Sequence, residues 1–231
     1  MSTQPRIYLR QLLLGPMANY VYVIGDPATH KAVVVDPAWD IDTVVDEAAR
    51  EGYTIEKILI THYHPDHLGG NFMGQRIEGA AQLAQKIKAR IYVNKEEAEG
   101  AKRVAGLSDS DLVKVEGGDT AEIGNLKLKF LHTPGHTPGS QCFLIDGNLV
   151  SGDTLFIGSC GRVDLPGSDP EQMYYSLNQK LRNLDESTVV YPGHAYSPES
   201  SSTIGDEKRR NMFMRFESLD DFLEAMGYSR N

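Results

Sequence analysis

Three histidines and an aspartate stand close together in the segment Thr61-His62-Tyr63-His64-Pro65-Asp66-His67. Burying several imidazole rings and a carboxylate side by side is unfavourable unless another group satisfies their polar atoms. A divalent metal ion does so, because imidazole suits Zn and Fe and a carboxylate adds compensating charge. The segment therefore predicts a metal site. The alternative is a histidine-rich surface loop that binds metal only adventitiously.

The residues around this segment predict where it lies in the fold. It follows Ile58-Leu59-Ile60, a short apolar run that is typical of the end of a buried strand. Pro65 predicts that the strand does not continue and that no helix begins at once. The ligands are therefore expected on a loop at the carboxyl end of a strand, where open α/β sheets place their sites.

The spacing within the segment indicates how the ligands are divided. His62 and His64 are two positions apart, so their side chains can point to the same side of the chain. Asp66 and His67 come after the bend at the proline and can face a second position. The spacing therefore suggests two metals rather than one.

Three further residues of metal-ligand type lie in turns that contain glycine and follow apolar, strand-like runs. They are His136 in Thr133-Pro134-Gly135-His136, Asp153 in Ser151-Gly152-Asp153, and His194 in Tyr191-Pro192-Gly193-His194. With the first segment, the same order of apolar strand, turn and ligand occurs four times along the chain. This repetition favours one shared site at the strand ends.

The whole pattern resembles the metallo-β-lactamase superfamily over roughly residues 15–215. The order that carries the resemblance is His62-x-His64-x-Asp66-His67, His136, Asp153 and His194. A finer resemblance to the glyoxalase II and persulfide dioxygenase branch rests on Gly152-Asp153-Thr154-Leu155-Phe156, Cys160-Gly161-Arg162 and Thr203-Ile204-Gly205-Asp206-Glu207. The resemblance implies an αββα sandwich with the site between two sheets, whereas periodicity alone supports a mixed α/β (α+β) fold.

The resemblance also implies which residues bind each metal. His62, His64 and His136 would bind the first ion, Asp66, His67 and His194 the second, and Asp153 would bridge them. The ions would then lie about 3.5–4 Å apart and activate a water for attack on a carbonyl carbon. Asp66 would also take or relay a proton. Zn is the expected metal, with Fe or Mn as alternatives.

Two residues near these motifs are expected to contact the substrate. Arg162 matches a basic residue that binds a glutathione carboxylate in glyoxalase II proteins, and Tyr196 matches another thiol-conjugate contact. The alternatives are an ion pair of Arg162 with Asp164 and simple packing of the tyrosine. Of the two cysteines, Cys142 is expected in the core, and Cys160 is expected to pack rather than act as a nucleophile.

The resemblance implies a metal-dependent hydrolase acting on a thioester, such as a hydroxyacylglutathione, or on a related acyl substrate. Only 28 residues follow Thr203, where glyoxalase II proteins continue into a helical glutathione-binding domain, so a broader thioesterase is expected. One alternative is a persulfide dioxygenase, which oxidises glutathione persulfide to sulfite with a single iron on residues matching His62, His136 and Asp153. Another is a metal-stabilised binding module without activity, which the complete ligand set disfavours.

Composition restricts the partners. The 231 residues include 23 Lys and Arg against 32 Asp and Glu, for a formal net charge of −9. This argues against nucleic acid, because phosphate binding needs clustered cations. No apolar stretch approaches the ~20 residues that span a bilayer, and Gly15-Pro16 interrupts the only apolar run near the N-terminus. A cytoplasmic monomer or homodimer with a small-molecule substrate is expected.

Hydrophobic patterning predicts the elements. We expect a single domain over residues 1–231, with a short helical extension from about residue 204. The predicted strands cover residues 7–13, 20–24, 32–35, 57–60, 91–93, 122–131, 141–145, 148–150 and 188–191. The predicted helices cover residues 40–50, 75–89, 95–102 and 170–184, and Gly147-Asn148 is expected to form a hairpin turn.

Overall fold

The computed structural model of the protein describes residues 7–228. Its strands are β1 (Tyr8–Leu14), β2 (Asn19–Asp26), β3 (Lys31–Val35), β4 (Thr54–Leu59), β5 (Gly70–Phe72), β6 (Gln75–Ile77), β7 (Arg90–Asn94), β8 (Leu112–Val115), β9 (Thr120–Ile123), β10 (Leu126–His132), β11 (Gln141–Ile145), β12 (Asn148–Gly152), β13 (Leu155–Phe156), β14 (Ser159–Cys160), β15 (Val189–Pro192) and β16 (Ser202–Thr203).

The α-helices are α1 (Ile41–Arg50), α2 (Pro65–Leu68), α3 (Ala80–Ile87), α4 (Ala98–Ala105), α5 (Pro170–Tyr175), α6 (Ile204–Arg210) and α7 (Leu219–Ala225). A π-helical turn covers Ser176–Lys180, and 3-10 turns cover Lys95–Glu97, Leu181–Asn183 and Met212–Met214. Over residues 7–228, no helix has the length and apolar character needed to cross a membrane.

Two six-stranded sheets form the centre of the molecule. The first has the order β1-β2-β3-β4-β7-β8, and the second has the order β16-β15-β12-β11-β10-β9. The first sheet is antiparallel from β1 to β3 and parallel from β3 to β8. In the second sheet β12 and β15 are parallel, and the other neighbours are antiparallel. The remaining strands pair as the small ribbons β5-β6 and β13-β14.

Side-chain alternation along β2 explains why helices cover the outer faces. Val21 and Val23 point outwards into a core that they share with α1, α3 and α4. Tyr20, Tyr22 and Ile24 point inwards, into the core between the two sheets. A third core lies between the second sheet and α5, α6 and α7. β2 therefore buries both faces, with helices outside it and the second sheet inside, and the predicted αββα sandwich is confirmed.

The structure corrects four details of the sequence prediction. Pro65 begins a one-turn helix, because its missing N–H is not needed in a first turn. Residues 75–77 form a strand of the β5-β6 ribbon, so the predicted helix begins only at Ala80. A turn divides residues 120–132 into β9 and β10. The hairpin turn consists of Asp146 and Gly147, which both have positive φ.

Phe130 tests the core between the sheets. Its ring is fully buried and meets Phe143 edge-on at a centroid distance of 5.5 Å. We expect Phe130→Ala to lower the free energy of unfolding by about 3–5 kcal/mol in urea titration. Leu13→Ala is the matched control, because Leu13 is 59% exposed, and it should change stability by less than about 0.5 kcal/mol. Equal effects of the two substitutions would contradict this description of the core.

Candidate metal centre

The structure brings the seven predicted ligand residues together at one end of the sandwich. Each follows the end of a strand: β4 for His62, His64, Asp66 and His67, β10 for His136, β12 for Asp153 and β15 for His194. Parallel and antiparallel strands of the two sheets thus end at the same edge, and their turns carry the donors. Asp66 and His67 lie on α2, one turn beyond the loop that holds the other two.

Close packing at the centre leaves no room for side chains at two turn positions. A Cβ on Gly193 would lie 2.3 Å from Asp153 Oδ1. Gly135 has a φ of +141°, and a Cβ there would lie 2.5 Å from the backbone of Met173. The glycines before His194 and His136 therefore let these two turns approach the site closely.

The first group of donors consists of His62, His64 and His136. One ring nitrogen of each lies within 4.8 Å of the others, and His136 Nε2 lies 3.0 Å from His64 Nδ1. His62 Nε2 is buried and has no hydrogen-bond partner. A buried polar atom without a partner is unfavourable, so this nitrogen fits a metal ligand better than a purely structural residue.

The second group consists of Asp66, His67 and His194, which also lie within 4.8 Å of one another. His67 Nε2 lies 3.1 Å from His194 Nε2 and 3.3 Å from Asp66 Oδ2. Two imidazole nitrogens and a carboxylate at such distances are the donor types that bind Zn or Fe.

Asp153 lies between the two groups. Its Oδ2 is 3.6 Å from His136 Nε2 in the first group and 3.4 Å from His194 Nε2 in the second. Its Oδ1 is 3.4 Å from His67 Nε2 and has no hydrogen-bond partner of its own. The carboxylate can therefore contact ions in both groups.

Hydrogen bonds on the outer side of the site orient three of the rings. The Nδ1–H groups of His136 and His194 donate to the carbonyl oxygens of Arg162 and Met17, both at 2.9 Å. The Nδ1–H of His67 donates to a carboxylate oxygen of Asp36 at 3.0 Å. Each bond places the proton on Nδ1 and leaves Nε2 free to bind a metal.

Asp36 was not among the residues predicted from the sequence. It directly follows β3, has a φ of +51° and is buried beneath the donors. Its carboxylate accepts hydrogen bonds from Thr61 N at 2.7 Å and Thr61 Oγ1 at 2.6 Å, besides the bond from His67. Since the Thr61 hydroxyl proton points to Asp36, His62 Nδ1–H donates to Thr61 Oγ1 at 3.0 Å. Asp36 therefore orients one histidine of each group.

The carboxylates of the centre are ionised. Burial opposes the charge of Asp66, but His67, Asn19 and His194 outweigh it and hold its pKa well below the usual range. Burial likewise opposes the charge of Asp153, and the same two imidazoles lower its pKa to about 2. Both groups therefore carry the negative charge that a divalent cation requires.

The imidazoles respond differently to their surroundings. Burial, reinforced by neighbouring rings, lowers the pKa of His62 well below its usual value and that of His64 to about 4. Burial acts the same way on His67, but Asp66 and Asp153 outweigh it and raise the pKa of this ring. His62 and His64 are thus neutral and available as ligands near pH 7.

Glu97, at the start of α4, is a second residue that the sequence did not identify. It is fully buried, and its Oε2 accepts a hydrogen bond from Tyr63 N at 2.6 Å. Its Oε1 accepts from Thr137 Oγ1 at 2.8 Å and Gly139 N at 2.7 Å. Burial raises the pKa of Glu97 to about 7 although these three bonds lower it. The carboxyl group connects the loop of His62 and His64 to the loop of His136.

The predicted substrate contacts lie at a cavity above the donors. Arg162 lines this cavity but forms a two-point ion pair with Asp164, at 2.8 Å for each contact. Tyr196 stacks on His194 with ring centroids 4.6 Å apart. Cys160 is buried, which raises its thiol pKa to about 12, and Cys142 is buried in the third core. Neither thiol is suited to nucleophilic attack.

The family follows from the match of the chain to known proteins. The model of the metallo-beta-lactamase superfamily matches residues 14–194, a range that includes all seven donors. The chain therefore belongs to the metallo-beta-lactamase superfamily, as the motifs predicted.

Similar proteins include both hydrolases and a dioxygenase. A probable polyketide biosynthesis zinc-dependent hydrolase of Bacillus velezensis is 29% identical, over 89% of this chain and 86% of the relative. A hydroxyacylglutathione hydrolase of a Synechococcus species is 34% identical, over 86% of this chain and 85% of the relative. The mitochondrial persulfide dioxygenase of Homo sapiens is 27% identical, over 96% of this chain and 81% of the relative. The family is thus enzymatic, and its reactions differ.

The fold agrees with solved structures of the family. The crystal structure of ETHE1 from Myxococcus xanthus superposes with a TM-score of 0.82 and is 29% identical in sequence. The superposition covers 95% of this chain and 90% of that one. The mixed α/β fold is therefore that of a metallo-beta-lactamase family member.

Glu97→Gln tests the connection between the two ligand loops. An amide NH₂ in place of one oxygen would face a hydrogen-bond donor. We therefore expect the free energy of unfolding to fall by about 2 kcal/mol. Metal affinity should fall about ten-fold. Thermal unfolding and chelator competition measure the two effects. Glu96→Gln is the matched control because Glu96 is exposed. The connection would be refuted if both substitutions behaved alike.

Proposed function

We propose that the protein is a two-metal hydrolase that cleaves a thioester or a related acyl compound. The observation that carries this proposal is the division of the donors into two groups with Asp153 between them. In the proposal, His62, His64 and His136 hold one ion, Asp66, His67 and His194 hold the other, and Asp153 contacts both. The hydroxyacylglutathione hydrolase and the zinc-dependent hydrolase among its relatives support the reaction class.

In the reaction, the oxygen of water bonds to the thioester carbonyl carbon and the carbon–sulfur bond breaks, which yields a carboxylic acid and a thiol. Two bound divalent cations would supply the Lewis acidity that polarises the carbonyl and acidifies the water. Asp66 lines the cavity, and Asn19 Nδ2 donates to its Oδ2 at 3.0 Å. The proposal also has Asp66 take or relay a proton, and its lowered pKa keeps the carboxylate in the ionised form that can accept one.

A second candidate is a mononuclear iron persulfide dioxygenase. It is supported by the similarity to the human persulfide dioxygenase and to the Myxococcus ETHE1 structure, which cover 96% and 95% of this chain. In this candidate His62, His136 and Asp153 would hold the iron. His67 and His194 would then have no metal to bind, although their Nε2 atoms lie only 3.1 Å apart. The two-metal hydrolase would give both of these nitrogens a metal to bind.

Metal analysis combined with two assays separates the candidates. The hydrolase predicts about two Zn, or another divalent metal, per chain together with thioester cleavage. The dioxygenase predicts about one Fe per chain and oxygen consumption with glutathione persulfide. The hydrolase proposal fails if the iron-loaded protein consumes oxygen and neither the iron-loaded nor the zinc-loaded protein cleaves any thioester.

Asp153→Asn tests the shared carboxylate. Loss of its charge removes a ligand from both positions, so we expect metal content to fall below one ion per chain and thioester cleavage to decrease by at least about 100-fold. Asp42→Asn makes the same chemical change at a side chain that is 72% exposed and should alter neither value. Unchanged metal content in Asp153→Asn would remove the basis for a shared ligand.

A further inference from the structure

The cavity above the donors has a polar floor and largely apolar walls. Its volume is about 330 Å³, which is at the small end of the range for ligand pockets. The floor consists of the metal-ligand residues. The walls are formed by Met17, Phe72, Phe156, Leu165, Pro166 and Tyr196, of which Tyr196 is 61% exposed at the surface.

The one Lys or Arg side chain among the described residues that line this cavity is Arg162. Its guanidinium already has a carboxylate partner, because Nε and one terminal nitrogen each contact Asp164 at 2.8 Å. Asp164 lies two residues after Arg162 in the same turn, so the ion pair can form whenever the turn is folded. Among the described residues, the walls therefore offer an incoming anion no cationic side chain without a partner.

We infer that the protein acts on thioesters with an apolar acyl group, and that this group lies against the Phe72, Leu165 and Tyr196 walls. The inference rests on the proposed hydrolase and names its substrate class. A glutathione conjugate would bring two carboxylates to walls that offer only the paired Arg162, and an unpaired charge against apolar surface is costly. An aliphatic chain would instead bury apolar area on both sides.

A series of thioesters on one small neutral thiol isolates the acyl group. We would compare acetyl, butanoyl and hexanoyl thioesters of N-acetylcysteamine with S-lactoylglutathione, using the zinc-loaded full chain. Burial of each methylene corresponds to about a four-fold gain, so kcat/KM should rise by at least about ten-fold from acetyl to hexanoyl. It should also exceed that for S-lactoylglutathione. A flat series, or a preference for S-lactoylglutathione, would overturn the inference.

The same substitution, Leu to Asn, at two positions tests where the acyl group binds. Leu165→Asn replaces an apolar wall residue by a polar one of similar size, and it should reduce kcat/KM for the hexanoyl thioester about ten-fold with little effect on the acetyl thioester. Leu13→Asn is the control, because Leu13 is 59% exposed on β1 and does not line the cavity. Equal losses for both thioesters in Leu165→Asn would place the acyl group elsewhere.

Asp164→Asn tests the ion pair. The substitution leaves Arg162 without its carboxylate, so a glutathione conjugate gains a cation to bind. We expect KM for S-lactoylglutathione to fall several-fold and the preference for hexanoyl over lactoyl substrates to shrink. If KM for S-lactoylglutathione stays the same, Arg162 does not govern selection against anions and this part of the inference fails.

Binding measurements separate this inference from the proposed reaction. S-hexyl-N-acetylcysteamine and S-methyl-N-acetylcysteamine are thioethers that cannot be hydrolysed. Calorimetry should give at least about ten-fold tighter binding of the hexyl compound, and Leu165→Asn should remove the difference. This result without any thioester cleavage would refute the hydrolase and retain the apolar site. Thioester cleavage without any difference between the two thioethers would refute the apolar site alone.

Discussion

The buried carboxylate of Asp36 sets the geometry on which the metal centre depends. It orients His67 directly and His62 through the hydroxyl of Thr61, so one residue orients a histidine of each donor group. Buried charges persist in proteins only where hydrogen bonds or opposite charges satisfy them. Three such bonds satisfy Asp36, counting that from Thr61 N. These contacts place a proton on Nδ1 of each ring and direct its Nε2 into the site.

The sandwich supplies the frame for this arrangement. Strands β4, β10, β12 and β15 belong to two sheets, yet they end at one edge and their turns deliver the donors there. The three cores bury both faces of each sheet and leave the strand ends little freedom to shift. Glu97 adds a connection between two of the turns. Donors far apart in the chain can therefore hold distances of 3–4 Å.

The floor and the walls of the cavity differ in the chemical groups that they present. The floor combines Asp66 and Asp153, carboxylates whose pKa is lowered, with imidazoles such as His64, whose pKa burial lowers to about 4. These donor types match a divalent cation. The walls are largely apolar, and Arg162, the one Lys or Arg among the described residues that line them, forms an ion pair with Asp164. In the proposed hydrolase, the donors would set the reaction class, and residues of the β5-β6 ribbon and the turn after β14 would contribute to the choice of substrate.

The sequence by itself determined the fold class and the family, and it predicted the seven candidate donors that the structure brings together. These depend on local patterns: apolar strands, glycine turns and the spacing of His and Asp. It did not reveal Asp36 or Glu97. Asp36 directly follows a strand and precedes a proline, like many turn residues, and its partner Thr61 lies 25 positions away. The ion pair of Arg162 with Asp164 also depends on the folded turn that brings the two side chains together. Such roles depend on contacts between distant or folded segments, which only tertiary structure creates.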